Sequence, residues 1–76
     1  MADHPRITLD ADLLAGKPVV RGTRLAVEFV LGLMAEGWSE AEILADYPNL
    51  THDDILACLA CARDALIAEK IFPSAA

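Results

Sequence analysis

The pattern of apolar and polar positions separates a short extended N-terminal part from a longer helical part. In residues 6–9 (RITL), β-branched and apolar residues nearly alternate with polar ones, as they do in strands. Residues 17–22 (KPVVRG) are also predicted to be extended, because Pro18 disfavours a helix at Lys17 and Gly22 allows the chain to turn. The two segments could form a small β-hairpin.

Between these segments, residues 10–16 (DADLLAG) predict a single helical turn that Asp10 caps and Gly16 ends. Small residues and prolines at 1–5 and 72–76 indicate loose tails. No internal repeat or low-complexity segment interrupts the rest of the chain.

The first helix is predicted over about residues 26–36. Gly37 lies where a helix ends in a left-handed residue, and Trp38 can then fold back onto Leu33 or Met34. The glycine therefore marks the boundary between this helix and the next.

The second helix has a clear start and a clear end. Ser39 is predicted to cap it, with Glu42 three residues later completing a capping box. Trp38 and Ile43 have the spacing of a hydrophobic staple across this start. Pro48 ends the helix.

The third helix is predicted to be the longest. Thr51 caps it, and Asp54 occupies the capping-box position where Glu or Gln is more usual. Leu50 and Ile55 supply the hydrophobic staple. The helical pattern continues to about Lys70.

Two helical surfaces predict a homodimer or higher homo-oligomer. The first helix is apolar on nearly every side except at Glu28 and Glu36, and such a helix is usually buried on more than one side. One face of the third helix carries large apolar residues, namely Ile55, Leu56, Leu59, Leu66 and Ile67. Another face allows close backbone approach through small residues, namely Ala57, Cys58, Cys61, Ala62, Ala65 and Ala68. The alternative is that these small residues simply favour a helix.

Composition supports the oligomer and bears on location. The chain has 76 residues, and 55% of them are hydrophobic. A domain of this size buries only about 60% of its unfolded surface, so excess apolar surface favours association. No apolar run approaches the roughly 18–20 residues that span a bilayer, and the N-terminus lacks the apolar core of a signal peptide. We therefore expect a cytoplasmic protein without membrane contact.

These elements predict a mainly α, tri-helical domain over residues 1–76 with the outline of a helix-turn-helix. The third helix would then be the recognition helix, but its first residues, 51–54 (THDD), include two carboxylates. No Lys or Arg occurs between Leu25 and Ala62. Since affinity for DNA depends largely on neutralising phosphates, we expect this helix to pack or to bind protein instead.

Charge is distributed unevenly along this acidic chain, whose net charge is −6. Residues 1–24 hold four basic and three acidic residues, whereas residues 25–76 hold two basic and nine acidic ones. The first segment is therefore net positive by one, and the second net negative by seven. Such asymmetry indicates two faces with different partners.

The cationic segment 16–27 (GKPVVRGTRLAV) is the candidate site for a protein partner or for nucleic acid. An arginine presents a planar fork of donors that suits a carboxylate and a phosphate equally. The candidate binding residues are Arg21, Arg24, Lys17, Arg6 and Thr23.

A structural interpretation of the same residues stays open. Gly22 could serve only for its backbone freedom, and Thr23 could cap the first helix. Lys17 and Arg6 could be plain solvated charges. Arg21 or Arg24 could instead form an internal ion pair with Asp10, Asp12 or Glu28.

The remaining candidate chemistry is weak. Cys58 and Cys61 have CxxC spacing, but a structural zinc site needs four ligands and one chain supplies an incomplete set. We expect reduced, buried or interface thiols. No nucleophile accompanies His4 or His52, and no glycine-rich phosphate loop is present. The sequence therefore predicts a non-enzyme with no catalytic residue, cofactor or metal.

Three stretches of the chain together resemble a known family. They are residues 7–10 (ITLD), 16–27 (GKPVVRGTRLAV) and 35–62 (AEGWSEAEILADYPNLTHDDILACLACA). They look like the small bacterial and archaeal family called domain of unknown function 433, with a match over about residues 7–62 and a family-like core of 7–70. Ala26 departs from the pattern, because the family usually has a proline there.

The resemblance implies a homeodomain-like or winged-helix-like fold. It also implies a VapB-type antitoxin that pairs with a PIN-like ribonuclease toxin and binds double-stranded DNA to regulate its own expression. The alternatives are a DNA-binding regulator without a toxin, and a small structural or adaptor dimer.

Overall fold

The structure is a computed structural model that describes residues 5–9 and 16–69. Within these ranges it contains a small sheet followed by three helices: β1 (Ile7–Leu9), β2 (Pro18–Val20), α1 (Val27–Ala35), α2 (Glu40–Asp46) and α3 (His52–Glu69). The predicted mainly helical fold with short N-terminal extended segments is confirmed. The predicted helical turn lies outside the described residues except for Gly16.

The two strands form an antiparallel pair. Ile7 lies opposite Val20, and Leu9 lies opposite Pro18. Val19 and Val20 are both fully buried, since β2 also bridges to Ala26 and contacts α1, while β1 contacts α3. The sheet therefore fixes the position of the turn that carries the candidate arginines.

The end of α1 has the predicted glycine cap. Gly37 has a φ of +100°, in the left-handed region that glycine adopts without strain. Its N–H donates to the carbonyl of Met34, and the N–H of Trp38 donates to the carbonyl of Leu33. These two bonds define a Schellman motif, so the chain reverses into the next helix. At the other end Ala26 occupies the N-cap position without a side-chain hydrogen bond.

Both predicted capping boxes are present. At α2, the N–H of Glu42 donates to Ser39 Oγ over 3.1 Å, and the N–H of Ser39 donates to Glu42 Oε1 over 2.8 Å. At α3, the N–H of Asp54 donates to Thr51 Oγ1 over 3.2 Å, and the N–H of Thr51 donates to Asp54 Oδ2 over 3.1 Å. The shorter aspartate thus completes the box in place of glutamate.

The core lies where the sheet and the three helices meet. Its apolar members come from every helix and from β2: Val20, Val27, Val30, Ile43, Leu50, Ile55 and Cys58. Leu33, Met34 and Trp38 are half-buried against it. No described helix combines the length and apolar character needed to cross a bilayer.

The core covers only part of each apolar face of α3. Cys58 of the small-residue face is fully buried and Cys61 packs against the same core, whereas Ala65 and Ala68 of that face are exposed. The large apolar face is divided. Ile55 is buried, but the other members are exposed, namely Leu56, Leu59, Leu66 and Ile67. The periodicity marks both faces as apolar, and only the placement of the other elements decides which residues of each they cover.

Candidate partner-binding site

The structure separates the basic residues that the sequence places in one segment. Arg6 lies just before β1, and its guanidinium contacts the start of α3. Nη1 donates to Asp54 Oδ1 over 3.2 Å, and Nη2 lies 3.5 Å from Asp53 Oδ2. Arg6 is therefore an exposed residue that ties the sheet to α3 through two carboxylates of the same chain.

Lys17 is also engaged within the chain. Its Nζ lies 3.1 Å from Glu28 Oε1 on the first turn of α1. Glu28, one of the three acids considered as a partner of Arg21 or Arg24, thus pairs with Lys17, and the other two, Asp10 and Asp12, lie outside the described residues. The strand register explains the difference, since Lys17 stands at the start of β2 and Arg21 follows its end.

Arg21 is exposed and tied to the chain at one nitrogen only. Its Nε donates to the carbonyl oxygen of Pro5 over 2.7 Å, and its backbone N–H donates to the carbonyl of Arg6. No carboxylate among the described residues pairs with it. The terminal nitrogens of its guanidinium therefore retain donors for a partner.

Thr23 holds the turn between β2 and α1 together. Its hydroxyl donates to the carbonyl of Val20 over 2.8 Å and accepts from the N–H of Leu25 over 3.0 Å. Gly22, with a φ of +83°, takes the turn position that glycine favours. Thr23 thus stabilises this turn, and the expectation that it caps α1 is wrong because Ala26 holds that place.

Arg24 differs from the other basic residues of the segment. It is exposed, and its side chain makes no hydrogen bond or ion pair with any residue that the structure describes. It lines an open groove between the β2–α1 turn and the α2–α3 connection. We call this the Arg24 groove, and its lining residues are Gly22, Thr23, Arg24, Leu25, Asp46, Tyr47, Pro48 and Asn49.

The wall of the Arg24 groove opposite Arg24 is partly aromatic. Tyr47 packs edge-on against Phe29 of α1, with ring centroids 5.6 Å apart and planes at 85°. Phe29 remains 42% exposed, so apolar surface adjoins the groove. Asp46 places one carboxylate on the same wall. The groove can therefore offer a cationic donor, an anionic acceptor and apolar contact to one partner segment.

The second wall of this groove was not predicted from the sequence. Pro48 is predicted only to end the second helix, and nothing in the sequence around Tyr47 marks a binding surface. About twenty residues of chain separate this connection from the turn that holds Arg24. Only the packing of α1 against the rest of the domain brings the two loops side by side.

Burial of the two cysteines favours their protonated form. Burial raises the pKa of Cys58 to about 11, with the neighbouring Cys61 and Asp54 as smaller causes. Burial also raises the pKa of Cys61, and Asp64 adds to the effect. Both thiols therefore stay protonated near neutral pH, whereas the thiolate is the reactive and metal-binding form. Across the described part of the chain, no three His, Cys, Asp or Glu side chains converge as metal ligands would.

The comparisons with known proteins give a family but no activity. A sequence model of the family described as "Protein of unknown function (DUF433)" matches residues 7–62. The fold is similar to the crystal structure of a DUF433 member protein from Anabaena variabilis ATCC 29413, with a TM-score of 0.75 and 27% sequence identity. That match covers 78% of this chain and 58% of the other, so the present chain spans less than two thirds of its length. No curated protein matches the sequence significantly.

Proposed function

The chain belongs to the DUF433 family, and on that premise we propose that it is a non-catalytic binding module, namely an antitoxin component that pairs with a PIN-like ribonuclease toxin. The exposed guanidinium of Arg24 in its groove is the observation that supports this function. The family resemblance supplies the class of partner, and the groove supplies a surface with suitable chemistry.

Arg24 differs from three other basic residues of the chain in having no carboxylate partner among the described residues. Arg6, Lys17 and Arg63 each lie within 3.5 Å of a carboxylate of the same chain. In a chain with twelve acidic residues, internal pairing is readily available to a cation. Arg24 makes no such pair among the described residues and faces a groove. A free guanidinium of this kind can donate two parallel hydrogen bonds to a carboxylate of a partner.

A PIN-like nuclease suits this surface because it gathers acidic residues around its metal ions. Arg24 would donate to one of those carboxylates, and the exposed part of Phe29 beside Tyr47 would provide apolar contact. Arginine and aromatic residues are the side chains that most often dominate the energetics of protein interfaces. An antitoxin bound in this way would occupy the site that RNA needs.

DNA binding is the second candidate, and one observation favours it. Arg21 and Arg24 lie three residues apart, both are exposed, and neither has a carboxylate partner among the described residues. They could hold phosphates, with a second copy doubling the contacts. Against this, the first turn of α3 is acidic and binds Arg6, so α3 is poorly suited to enter a groove of DNA.

The test is recovery of the partner at native abundance. The tagged protein is expressed in its own host, purified gently, and its companions are identified by mass spectrometry. A stoichiometric ribonuclease-like protein whose cleavage of RNA is inhibited by the added chain supports the proposal. Recovery of the chain alone at normal abundance contradicts a permanent toxin partner and favours DNA binding or a structural role.

A further inference from the structure

The Arg24 groove holds two opposite charges that do not pair with each other. Arg24 lies on the β2–α1 turn, and Asp46 lies on the facing wall at the end of α2. Both side chains are exposed, and neither makes a hydrogen bond or ion pair with any residue that the structure describes. The groove therefore keeps an unpaired base and an unpaired acid on its two walls.

The backbone of both walls is ordered by hydrogen bonds within each loop. In the turn that carries Arg24, the N–H of Val20 donates to the carbonyl of Leu25 over 2.9 Å. In the α2–α3 connection, the N–H of Leu50 donates to the carbonyl of Tyr47 over 2.9 Å. The segments that present the two charges are thus arranged in the chain by itself, which lowers the entropy cost of binding a partner.

A ligand with charges of one sign does not suit this groove. A nucleic acid strand carries a negative phosphate at every nucleotide, so contact with Arg24 would bring further phosphates toward Asp46. A purely basic segment would meet the guanidinium of Arg24 in the same way. Like charges that meet at an interface cost binding free energy and exclude wrong partners. The pattern therefore favours an occupant with both signs of charge, which a polypeptide segment can carry.

The negative wall continues beyond Asp46. This residue also borders a second groove, in which Glu36 and Glu42 supply two more carboxylates and Trp38 is half-buried. Among the described residues that line the two grooves, Arg24 is the only base. The charge therefore changes from positive at Arg24 to negative at Asp46 and beyond, which gives a bound segment a direction.

The uncharged groups of the Arg24 groove also suit a peptide. Tyr47 packs against Phe29, which is largely accessible, so an apolar side chain has a surface to cover. Asn49 is exposed on the same wall. Its side-chain amide offers a donor and an acceptor, as a peptide group does. Charge, apolar surface and amide together match an extended peptide better than a lone anion.

We propose that the Arg24 groove binds an extended segment of a protein partner that carries a carboxylate for Arg24 and a basic side chain for Asp46. Arg24 donates two parallel hydrogen bonds to the carboxylate, and Asp46 accepts from the ammonium or guanidinium group. This inference rests on the proposed function for the class of partner, a protein, and adds the charge pattern of the segment that the partner presents.

Selection from a library of random linear peptides displayed on phage tests the charge pattern without the natural partner. The wild type is expected to select sequences that carry both an acidic and a basic residue. Arg24→Ala is expected to lose the preference for the acid and keep that for the base, and Asp46→Ala to do the reverse. The control, Lys17→Ala with Glu28→Ala, removes a base and an acid that pair with each other outside the groove, and should select the same sequences as the wild type.

Three outcomes of the selection would overturn the proposal. They are selected sequences with one sign of charge, sequences that stay the same in the Arg24→Ala and Asp46→Ala variants, and no selection above the background of phage without a peptide. Neither side chain has a partner among the described residues, so both variants should keep the circular dichroism spectrum of the wild type.

Fluorescence anisotropy with a selected peptide gives the size of the effect. Arg24→Ala and Asp46→Ala should each raise the Kd roughly tenfold, and the control should leave it within about twofold. Duplex DNA of random sequence is titrated in parallel. DNA binding that weakens with Arg24→Ala and strengthens with Asp46→Ala would show that nucleic acid occupies the groove, and would overturn the proposal.

The peptide segment and the toxin partner fail separately. Selected peptides of mixed charge, without a recoverable ribonuclease-like protein, would contradict the proposed function and uphold the peptide groove. A recovered ribonuclease-like protein whose affinity is unchanged by Asp46→Ala would uphold the proposed function and contradict the role of Asp46.

Discussion

Arg6 and Asp54, 48 residues apart in sequence, join the first strand to the start of the longest helix through a 3.2 Å hydrogen bond. Asp54 is buried, and its second carboxylate oxygen accepts the N–H of Thr51. A single carboxylate thus completes the cap of α3 and fixes the sheet against it. This connection also fixes the position of the candidate binding turn, because the backbone N–H of Arg21 donates to the backbone carbonyl of Arg6.

The contact between Arg6 and Asp54 predicts unequal losses of unfolding free energy when either side chain is removed. Asp54→Ala removes one half of the capping box, leaves the N–H of Thr51 without its acceptor and leaves Arg6 only the longer contact to Asp53, so the free energy of unfolding should fall by about 2 to 3 kcal/mol. Arg6→Ala should cost about 1 kcal/mol, because the capping box survives. Urea denaturation at fixed protein concentration measures both, and the double variant should be less destabilised than the sum. Equal effects of the two single variants would show that the cap contributes little.

The left-handed glycine after α1 gives a matched pair of variants. Gly37→Ala meets no atom within 4 Å, so its cost comes from a φ of +100° and should be about 1 kcal/mol. Gly32→Ala also meets no atom within 4 Å, but it lies inside α1 and should stabilise the protein by about 0.5 to 1 kcal/mol. Thermal unfolding followed by circular dichroism distinguishes the two. A stabilising Gly37→Ala would contradict the Schellman cap.

Cys58 predicts a loss of stability at alkaline pH. Its pKa of about 11 in the folded chain lies above the ordinary value of 9.0, so the folded state holds the proton more tightly than the unfolded state. This contribution is complete below pH 9 and is lost as pH rises toward 11. Cys58→Ala should flatten the decline in unfolding free energy over that range, and Cys61→Ala should flatten it less. Identical pH profiles for both variants and the wild type would refute the assignment.

The capping box of α2 predicts the opposite dependence at acidic pH. The N–H of Ser39, and secondarily its hydroxyl, hold the pKa of Glu42 below its ordinary value of 4.5. The stabilising effect is therefore present above about pH 4.5 and is lost as pH falls through the lower, folded value. Glu42→Gln should reduce this acid sensitivity while keeping a hydrogen-bond acceptor. Ser39→Ala, which removes the cap itself, should cost about 1 kcal/mol at neutral pH.

The Arg24 groove predicts which basic side chain contributes to the affinity for a partner. Arg24→Ala should weaken the complex with the recovered ribonuclease-like partner at least tenfold, since an exposed guanidinium paired on binding contributes about 1.4 kcal/mol or more. Lys17→Ala removes the same charge from a residue already paired with Glu28 and should leave the affinity within about twofold. Isothermal titration calorimetry measures both. If the partner proves to be DNA, Arg24→Ala should instead reduce the salt dependence of binding by about one phosphate contact.

The helix boundaries could be derived from the sequence because their signals are local. Ser39 with Glu42, Thr51 with Asp54, and Gly37 with Trp38 each act within a few residues, where backbone geometry alone brings the groups together. For the same reason the order of the strands and helices could be predicted from the sequence. These features depend on the spacing along one element and not on what covers it.

The pairing of the basic residues and the exposed side of α3 depended on tertiary structure. Arg6 finds Asp54, and Lys17 rather than Arg21 finds Glu28, because the strand register and the packing of the sheet on the helices decide which distant groups meet. α3 has two apolar faces of similar periodicity, and the core covers Ile55 of one and Cys58 of the other. Most of the larger residues of α3 are left exposed, and Arg24 is left without a hydrogen-bond or ion-pair partner among the described residues, because the packing of the other elements reaches neither.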